Sequence, residues 1–250
     1  MGGAIVEGLL KCGRFSNDDI TVADPSTRVT DKFAKAGVSV TADNVLAAES
    51  ADVVFVVVKP WLVQGVIENI STAIASTQKI LVVVAARTSS ENIRQWAGPG
   101  CPPFFLAIPN IAIAQLQSMT FLVPCVAKAS QQTEQVAALF EAMGKVIITD
   151  EKHLAAGTTL ASCGIAYAMR YIRAAAEGGV ELGFRADDAK DIVMQTMKGA
   201  VMLLEESGMH PEQAIDLVAT PGGVTIKGLN EMEHAGFTSA VIRGLKAGAK

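Results

Sequence analysis

The chain has 250 residues, of which half are hydrophobic and only 18% are charged. This length suits two modest domains or one large one, and the composition allows a large buried core without cross-links. The net charge of −4, the few aromatic residues and the lack of a basic run argue against a nucleic-acid partner.

The cysteines and histidines show no pattern of a metal site or a disulfide framework. Cys12, Cys101, Cys125 and Cys163 are scattered without CxxC spacing, and the three histidines have no ligand spacing. These cysteines are typical of small core residues in a reducing compartment. The longest apolar runs have the length of strands, far short of a membrane span, and there is no signal-peptide pattern. We therefore expect a cytoplasmic protein with no metal and no membrane contact.

The first part of the sequence alternates strand and helix patterns. A helix over residues 2–13 comes first, and the run 51–58 is so continuously apolar that it predicts a parallel strand covered on both faces. Helical patterns separate most of the strands. The alternation predicts an α/β fold with a doubly wound, Rossmann-type parallel sheet. The predicted strands are 19–24, 38–40, 51–58, 79–86, 104–108, 119–123 and 145–149.

From residue 150 onward only helical patterns follow. We therefore predict an α/β dinucleotide-binding domain over residues 1–150 and an all-helical domain over 151–250. The helix 164–182 has an apolar face too wide for packing on one side, which suits a bundle core or a dimer interface. The dimer is favoured, since a helical half of about 100 residues has a limited core of its own. The predicted helices are 151–160, 164–182, 186–207, 211–219 and 224–250.

The carboxyl ends of the parallel strands are the expected ligand-binding edge. Asp24 stands at one such end, where an acidic residue commonly binds the ribose hydroxyls of NAD, although a turn aspartate is an equal alternative. Ser26, Thr27 and Arg28 follow and suit a 2′-phosphate instead. The pattern leaves NAD and NADP open. Lys59 stands at the end of another strand, where it is either a cofactor ligand or a solvated charge.

A proline and two glycines separate two of the predicted helices. Pro221 ends the first helix because it lacks an N–H group, and Gly222 and Gly223 permit a sharp turn. The next helix begins at Val224, and its free N–H groups suit an anion such as a carboxylate or a phosphate. A plain turn between two helices is the alternative interpretation.

This loop resembles that of a known family. The run from Thr220 to Thr225, continued through residue 237, is similar to the signature loop of pyrroline-5-carboxylate reductases, and the resemblance covers the whole chain. It implies an enzyme that reduces 1-pyrroline-5-carboxylate to L-proline with NAD(P)H, the last step of proline biosynthesis. It also implies a homodimer or larger homo-oligomer built through the C-terminal helices.

The resemblance assigns roles to particular residues. The substrate carboxylate would be bound by Thr220, Gly222, Gly223 and Val224, while the hydroxyl of Thr225, the catalytic candidate, would orient the ring nitrogen. NADP is favoured as the cofactor, with NAD as the alternative. The implied cofactor-binding residues are Met1, Gly2, Asp24, Ser26, Asn44, Val58, Lys59, Pro60, Ala85 and Ala86.

The front of the chain departs from a dinucleotide-binding pattern. Met1, Gly2 and Gly3 match the end of a Gly-x-Gly-Asn-Met-Gly-Gly sequence, without the preceding strand and first glycines. We expect a gap in the sheet where that strand would lie. Two explanations compete for the missing strand: an internal methionine was taken as the start, or the chain was shortened. A protein that naturally lacks its first strand is the third explanation. The incomplete phosphate cradle makes a non-catalytic nucleotide-binding dimer the alternative function.

Other positions also depart from the family pattern. Arg87 stands where the family usually has glycine. Residues 109–112 and 161–167 keep the residues that set the shape of their motifs, but at other positions of these motifs they lack a hydroxyl group or a proline that the family has. We interpret these changes as subfamily variation. A related β-hydroxyacid dehydrogenase would need a catalytic lysine on the helix 164–182, which contains none.

Overall fold

The computed structural model describes residues 1–126 and 130–249. The described chain divides into two compact units, Met1–Cys163 and Gly164–Gly248. The predicted domain boundary at residue 150 stays a prediction.

The first unit is an α/β layer structure. Its strands are β1 Thr21–Ala23, β2 Ser39–Thr41, β3 Val53–Val56, β4 Ile80–Val83, β5 Phe104–Ile108, β6 Ser118–Pro124 and β7 Gly144–Ile148. Its α-helices are α1 Gly2–Lys11, α2 Thr27–Lys35, α3 Asn44–Ser50, α4 Val63–Ile70, α5 Ser90–Ala97, α6 Gln131–Glu141 and α7 Leu154–Gly157. Short 3-10 helices and one π-helix complete it, at Asn17–Asp19, Pro60–Leu62, Gly98–Gly100, Ile111–Gln115, Glu151–His153 and Thr158–Cys163.

The strands form a mostly parallel arrangement, which confirms the predicted fold class. β1 pairs with β2 in parallel, and β3 to β7 form a five-stranded sheet in sequence order. Among the described strands, only β5 and β6 run antiparallel, in a register that sets Leu106 opposite Val123. Their connection holds one short 3-10 helix, Ile111–Gln115. A parallel crossover needs a dozen residues or more, usually with an α-helix, so this connection turns the chain back on itself.

The prediction that the run 51–58 is covered on both faces was wrong for most of its length. Val53, Val54 and Phe55 are only half-buried, whereas all four residues of β4 are buried. The reason is that β3 pairs only with β4, and β1 pairs only with β2. The expected gap is therefore present as a break in the strand order between β1 and β3.

Two apolar layers cover the five-stranded sheet. Ile80 and Val82 of β4 pack with Phe140 of α6 on one face, and Leu81 of β4 packs with Ile67 of α4 on the other. Alternate residues of one strand thus enter opposite layers, as the period of two requires. Burial of each such side chain contributes about 1.5–3 kcal/mol. Helices on both faces make the sheet doubly wound.

The second unit consists of helices with little core of their own. Its helices are α8 Gly164–Glu181, α9 Ala186–Ser207, α10 Pro211–Val218, α11 Val224–His234 and α12 Phe237–Gly248. Among its described residues, Ala189 is the one buried side chain. It lies against α8, where a Cβ atom at Gly179 would come within 2.9 Å of the Ala189 Cβ. The close approach of two small residues, Gly179 and Ala189, joins α8 to α9, whereas the larger apolar side chains of this unit remain exposed.

The prediction of one helix over residues 224–250 was wrong. The structure divides it into α11 and α12 at Ala235 and Gly236, and Gly236 has a φ of +83°. Glycine adopts this left-handed conformation readily, so the chain turns there and a new helix begins. Residue 250, the last of the predicted helix, lies outside the described part of the chain.

Candidate functional site

The N-terminus of α1 lies beside the carboxyl end of β3. Met1 is the N-cap residue of α1 and makes no side-chain capping hydrogen bond. A Cβ atom at Gly2 would lie 3.7 Å from the Cβ of Val57, which directly follows β3. The first N–H groups of a helix lack intrahelical partners and carry the positive end of its dipole. Met1 and Gly2 therefore lie at a helix start whose open N–H groups suit an anion, at the edge of the sheet.

The residues after β1 form a polar turn at the same edge of their own sheet. A carboxylate oxygen of Asp24 accepts a hydrogen bond of 2.8 Å from the backbone N–H of Ser26. Ser26 is the N-cap residue of α2, and its hydroxyl makes no capping bond. Asp24 thus serves the local turn, as its alternative interpretation held, while its carboxylate retains acceptor capacity. The exposed Ser26 and Arg28 side chains are available to a phosphate.

Asn44 is the first residue of α3, and its neighbour performs the capping. Asp43 Oδ1 accepts hydrogen bonds from the N–H groups of Val45, at 2.8 Å, and Leu46, at 3.2 Å. Asn44 is therefore not needed as a cap. Its half-buried side chain follows the end of β2 and stays a candidate for the adenosine half of a cofactor.

The loops after β3 and β4 are adjacent because the two strands end together. Val56 pairs with Val83, and the N–H of Val84 donates to the Val56 carbonyl at 2.9 Å. The predicted residues on these loops follow within a few positions of that pair. Val58 is half-buried, Lys59 is exposed as the N-cap of the helix Pro60–Leu62, Ala85 is buried, and Ala86 is exposed. The structure thus brings Val58, Lys59, Pro60, Ala85 and Ala86 to the same edge of the sheet.

Arg87 adopts a left-handed backbone conformation, with a φ of +61°. This conformation is disfavoured for residues with a Cβ atom and is natural for glycine. The position therefore has the geometry that a glycine would satisfy, although this chain carries an arginine. Ala86 and Arg87 form a turn between β4 and α5.

Asn110 is a buried structural residue that no sequence pattern had identified as a helix cap. This buried side chain caps the helix Ile111–Gln115, accepting from the N–H of Ala112 at 3.0 Å and donating to the Ala161 carbonyl at 3.5 Å. The Ser162 hydroxyl donates to the Pro109 carbonyl at 3.4 Å. These bonds connect the end of β5 to the π-helix Thr158–Cys163. An asparagine directly after a strand and before a helical turn is the signal that could have identified the cap.

The loop before α11 is a tight turn with an open helix start. The N–H of Gly223 donates to the Thr220 carbonyl at 3.0 Å, and Gly222 has a φ of +71°. Gly223 is the N-cap of α11 and provides no side-chain cap. A Cβ atom at Gly223 would lie 2.5 Å from the Thr220 hydroxyl oxygen. The turn therefore places the Thr220 hydroxyl close to the start of α11, where Val224 is 85% exposed.

A separate cavity of about 300 Å³ lies at the opposite end of β5. Its lining includes Arg94, Cys101, Phe104 and Cys125. Burial raises the pKa of the Cys125 thiol to about 11, and burial also raises the pKa of Cys101. Both thiols are therefore protonated at neutral pH and are poor nucleophiles. This cavity lies away from the carboxyl edge of the strands and has no part in the site described above.

Within residues 1–126 and 130–249, no group of three or more metal-ligating side chains is present. In the same residues, no helix combines the length and apolarity needed to cross a bilayer.

Two protein families match separate parts of the chain. The pyrroline-5-carboxylate reductase dimerisation family matches residues 151–250. The family described as NADP oxidoreductase, coenzyme F420-dependent, matches residues 1–87.

Full-length relatives match almost all of the chain. Pyrroline-5-carboxylate reductase 1 of Dictyostelium discoideum is 37% identical over 98% of this chain, which spans 46% of that protein's length. Pyrroline-5-carboxylate reductase 2 of the same organism is 34% identical over 100% of this chain and 88% of its own length.

Solved structures share the fold. The Plasmodium falciparum pyrroline carboxylate reductase with NADP bound has a TM-score of 0.90 at 22% identity, covering 100% of this chain and 92% of its own. The pyrroline-5-carboxylate reductase of Coxiella burnetii has a TM-score of 0.86 at 25% identity, covering 99% of this chain and 92% of its own.

Proposed function

This chain belongs to the pyrroline-5-carboxylate reductase family, and we propose that it reduces 1-pyrroline-5-carboxylate to L-proline with NADPH as the hydride donor. The observation that carries the proposal is the open start of α11, where free N–H groups lie beside the Thr220 hydroxyl. This chemistry suits the substrate carboxylate.

The first unit provides groups that fit a phosphorylated dinucleotide. The N-terminus of α1, at Met1 and Gly2, suits the diphosphate. Ser26 and Arg28, at the start of α2, suit the 2′-phosphate, and among the described residues the Arg28 side chain makes no ion pair or hydrogen bond. This free cation supports NADP over NAD, and the bound NADP of the Plasmodium falciparum relative agrees with it.

The remaining cofactor contacts are assigned from the positions of residues at the carboxyl ends of the strands. We assign Asp24 and Asn44 to the adenosine half. The loops that hold Lys59 and Ala86 lie together after β3 and β4, and we assign them to the nicotinamide half. When bound, the nicotinamide supplies the hydride, and this chain orients it and excludes water.

The substrate carboxylate is assigned to the loop before α11. The N–H groups of Val224 and Thr225 lie in the first turn of the helix and lack intrahelical acceptors. The Gly223 N–H is already engaged with the Thr220 carbonyl, so Gly223 contributes the shape of the loop, while the Gly222 N–H stays a candidate donor to the carboxylate. The Thr220 hydroxyl adds a further donor at close range.

Thr225 is the candidate that orients the ring nitrogen. It is half-buried in the first turn of α11. A hydroxyl is a poor acid, so its contribution is to hold the imine in the reactive geometry and to pass on a proton from water.

We further propose that the protein works in the cytoplasm as a homodimer or larger homo-oligomer, without a nucleic-acid partner. The four cysteines are free, which suits a reducing compartment. The dimerisation family that matches residues 151–250 supports the homo-oligomer.

The test is consumption of NADPH and NADH by the 250-residue chain with pyrroline-5-carboxylate. We expect steady turnover that is faster with NADPH. Thr225→Ala should lower kcat at least about tenfold, equivalent to about 1.4 kcal/mol of barrier. Thr225→Ser, which keeps the hydroxyl, is the matched control and should retain most of the rate.

Absence of turnover in the wild type, with NADPH still bound, would support a non-catalytic nucleotide-binding dimer. Turnover by Thr225→Ala at the wild-type rate would remove Thr225 from the mechanism.

A further inference from the structure

Arg87 is held in an unfavourable backbone conformation by its neighbours. Its φ of +61° is rare for a residue with a Cβ atom. On either side, Ala85 and Thr88 are buried, and Ser89 caps α5 by accepting from the N–H of Asn92 at 3.2 Å. Strain of this kind persists where the surrounding structure imposes it, and it is common at ligand sites. The fold therefore fixes the backbone from which the Arg87 side chain extends.

The guanidinium of Arg87 has no partner within the described residues, and most other cations of the first unit do. Arg28, Lys35 and Lys59 are the only other described lysine or arginine side chains there without a hydrogen bond or ion pair. Those with partners are Lys11, Arg14, Lys32, Lys79, Arg94, Lys145 and Lys152.

Three of the four unpaired cations follow strands at their carboxyl ends. Arg28 comes after β1, Lys59 after β3 and Arg87 after β4, whereas Lys35 ends α2. The unpaired positive charge thus concentrates where a dinucleotide would lie.

Arg87 follows β4, the strand next to β3, and β3 ends beside the helix start that suits a diphosphate. Gly2 is in contact range of Val57, and the pairing of Val56 with Val83 continues to the Val84 N–H. Arg87 follows three residues after Val84, in the turn between β4 and α5. Adjacent strands are about 4.8 Å apart, a spacing that a long arginine side chain spans. Its guanidinium can therefore approach the space in front of α1.

We propose that Arg87 binds the diphosphate of the dinucleotide, supplementing the N-terminus of α1 with a cation. The guanidinium is suited to this task because its planar fork donates two parallel hydrogen bonds to phosphate oxygens. The inference rests on the proposed cofactor and adds a diphosphate ligand at a position where the resembling reductases have glycine.

The test measures equilibrium binding of NADPH by fluorescence titration, without substrate. Arg87→Asn removes the charge while asparagine tolerates the left-handed conformation, so the variant should fold. We expect its Kd for NADPH to rise about tenfold, with a weaker dependence on NaCl concentration. The Kd of Arg87→Lys for NADPH should lie between that of the wild type and that of Arg87→Asn. Lys35→Gln removes an unpaired cation away from the edge and should bind like the wild type.

Two fragments of the cofactor separate the diphosphate from the 2′-phosphate. Arg87→Asn should weaken the binding of ADP-ribose but not of adenosine 2′-monophosphate. Arg28→Gln should show the reverse pattern. Equal ADP-ribose and NADPH affinities for Arg87→Asn and wild type would overturn the inference while leaving the proposed function intact. A wild type that binds no NADPH would overturn both.

Discussion

Gly223 shows how one missing side chain shapes a binding loop. The Thr220 hydroxyl oxygen occupies the space that a Cβ atom of residue 223 would need, at a separation of 2.5 Å. Atoms do not approach so closely without displacement of the turn. The glycine therefore allows the hydroxyl to lie near the N–H groups of α11, which is the arrangement that a carboxylate ligand requires.

We predict that Gly223→Ala raises KM for pyrroline-5-carboxylate about tenfold, because the turn must shift and the Thr220 donor moves away. Steady-state kinetics at saturating NADPH would measure it. Gly228→Ala is the matched control, since no heavy atom lies within 4 Å of its added methyl group. Alanine there favours the helix by up to about 1 kcal/mol. An unchanged KM in Gly223→Ala would contradict the assigned role of the loop.

At the scale of elements, α1 is positioned by close packing on the helix Ile111–Gln115. A Cβ atom at Gly8 would lie 2.6 Å from the Ile113 carbonyl oxygen and 2.9 Å from the Met143 sulfur. Backbone therefore meets backbone at this contact. The contact holds the helix whose N-terminus faces the carboxyl end of β3, so packing on one side of α1 sets the position of the N–H groups at its start.

We predict that Gly8→Ala lowers the free energy of unfolding by about 1–3 kcal/mol, because the added methyl group overfills this contact. Urea denaturation would measure the change. Gly65→Ala in α4 is the control, since no heavy atom lies within 4 Å of its methyl group, and it should be neutral or stabilising. Equal stability of Gly8→Ala and wild type would show that α1 shifts freely.

At the scale of the whole molecule, the second unit exposes the apolar surface that a core would normally bury. Leu182 is 82% exposed and Leu217 is 72% exposed in the single chain. Met194 and Val201 of α9 are exposed as well, and their spacing of seven residues places them on one helical face. Such a surface is typical of an obligate interface between copies.

We predict that the 26.1 kDa chain sediments as a dimer or a larger assembly. The double variant Met194→Glu/Val201→Glu should shift it toward the monomer, because charges in an apolar interface are desolvated without partners. Gln195→Glu places one charge at an exposed polar position of the same helix and should leave the assembly intact. Sedimentation of the wild type as a monomer would contradict the prediction.

The amino-acid sequence by itself determined the features that depend on local pattern. The helix 186–207 was predicted with the bounds that α9 has, and the strand 104–108 with the bounds that β5 has. The proline and glycines of residues 221–223 predicted the turn before α11. These features depend on periodicity and on the conformations of proline and glycine, which act within a few residues.

Only the tertiary structure decided the features that depend on distant partners. Antiparallel pairing of β6 and the half-buried state of β3 follow from which strands meet. Asn110 became a buried connector because the π-helix Thr158–Cys163 packs near the end of β5. The backbone of Arg87 adopts a left-handed conformation because the residues on both sides of it are held in place. Pairing, burial and imposed strain are set by residues far apart in the chain, so no local pattern specifies them.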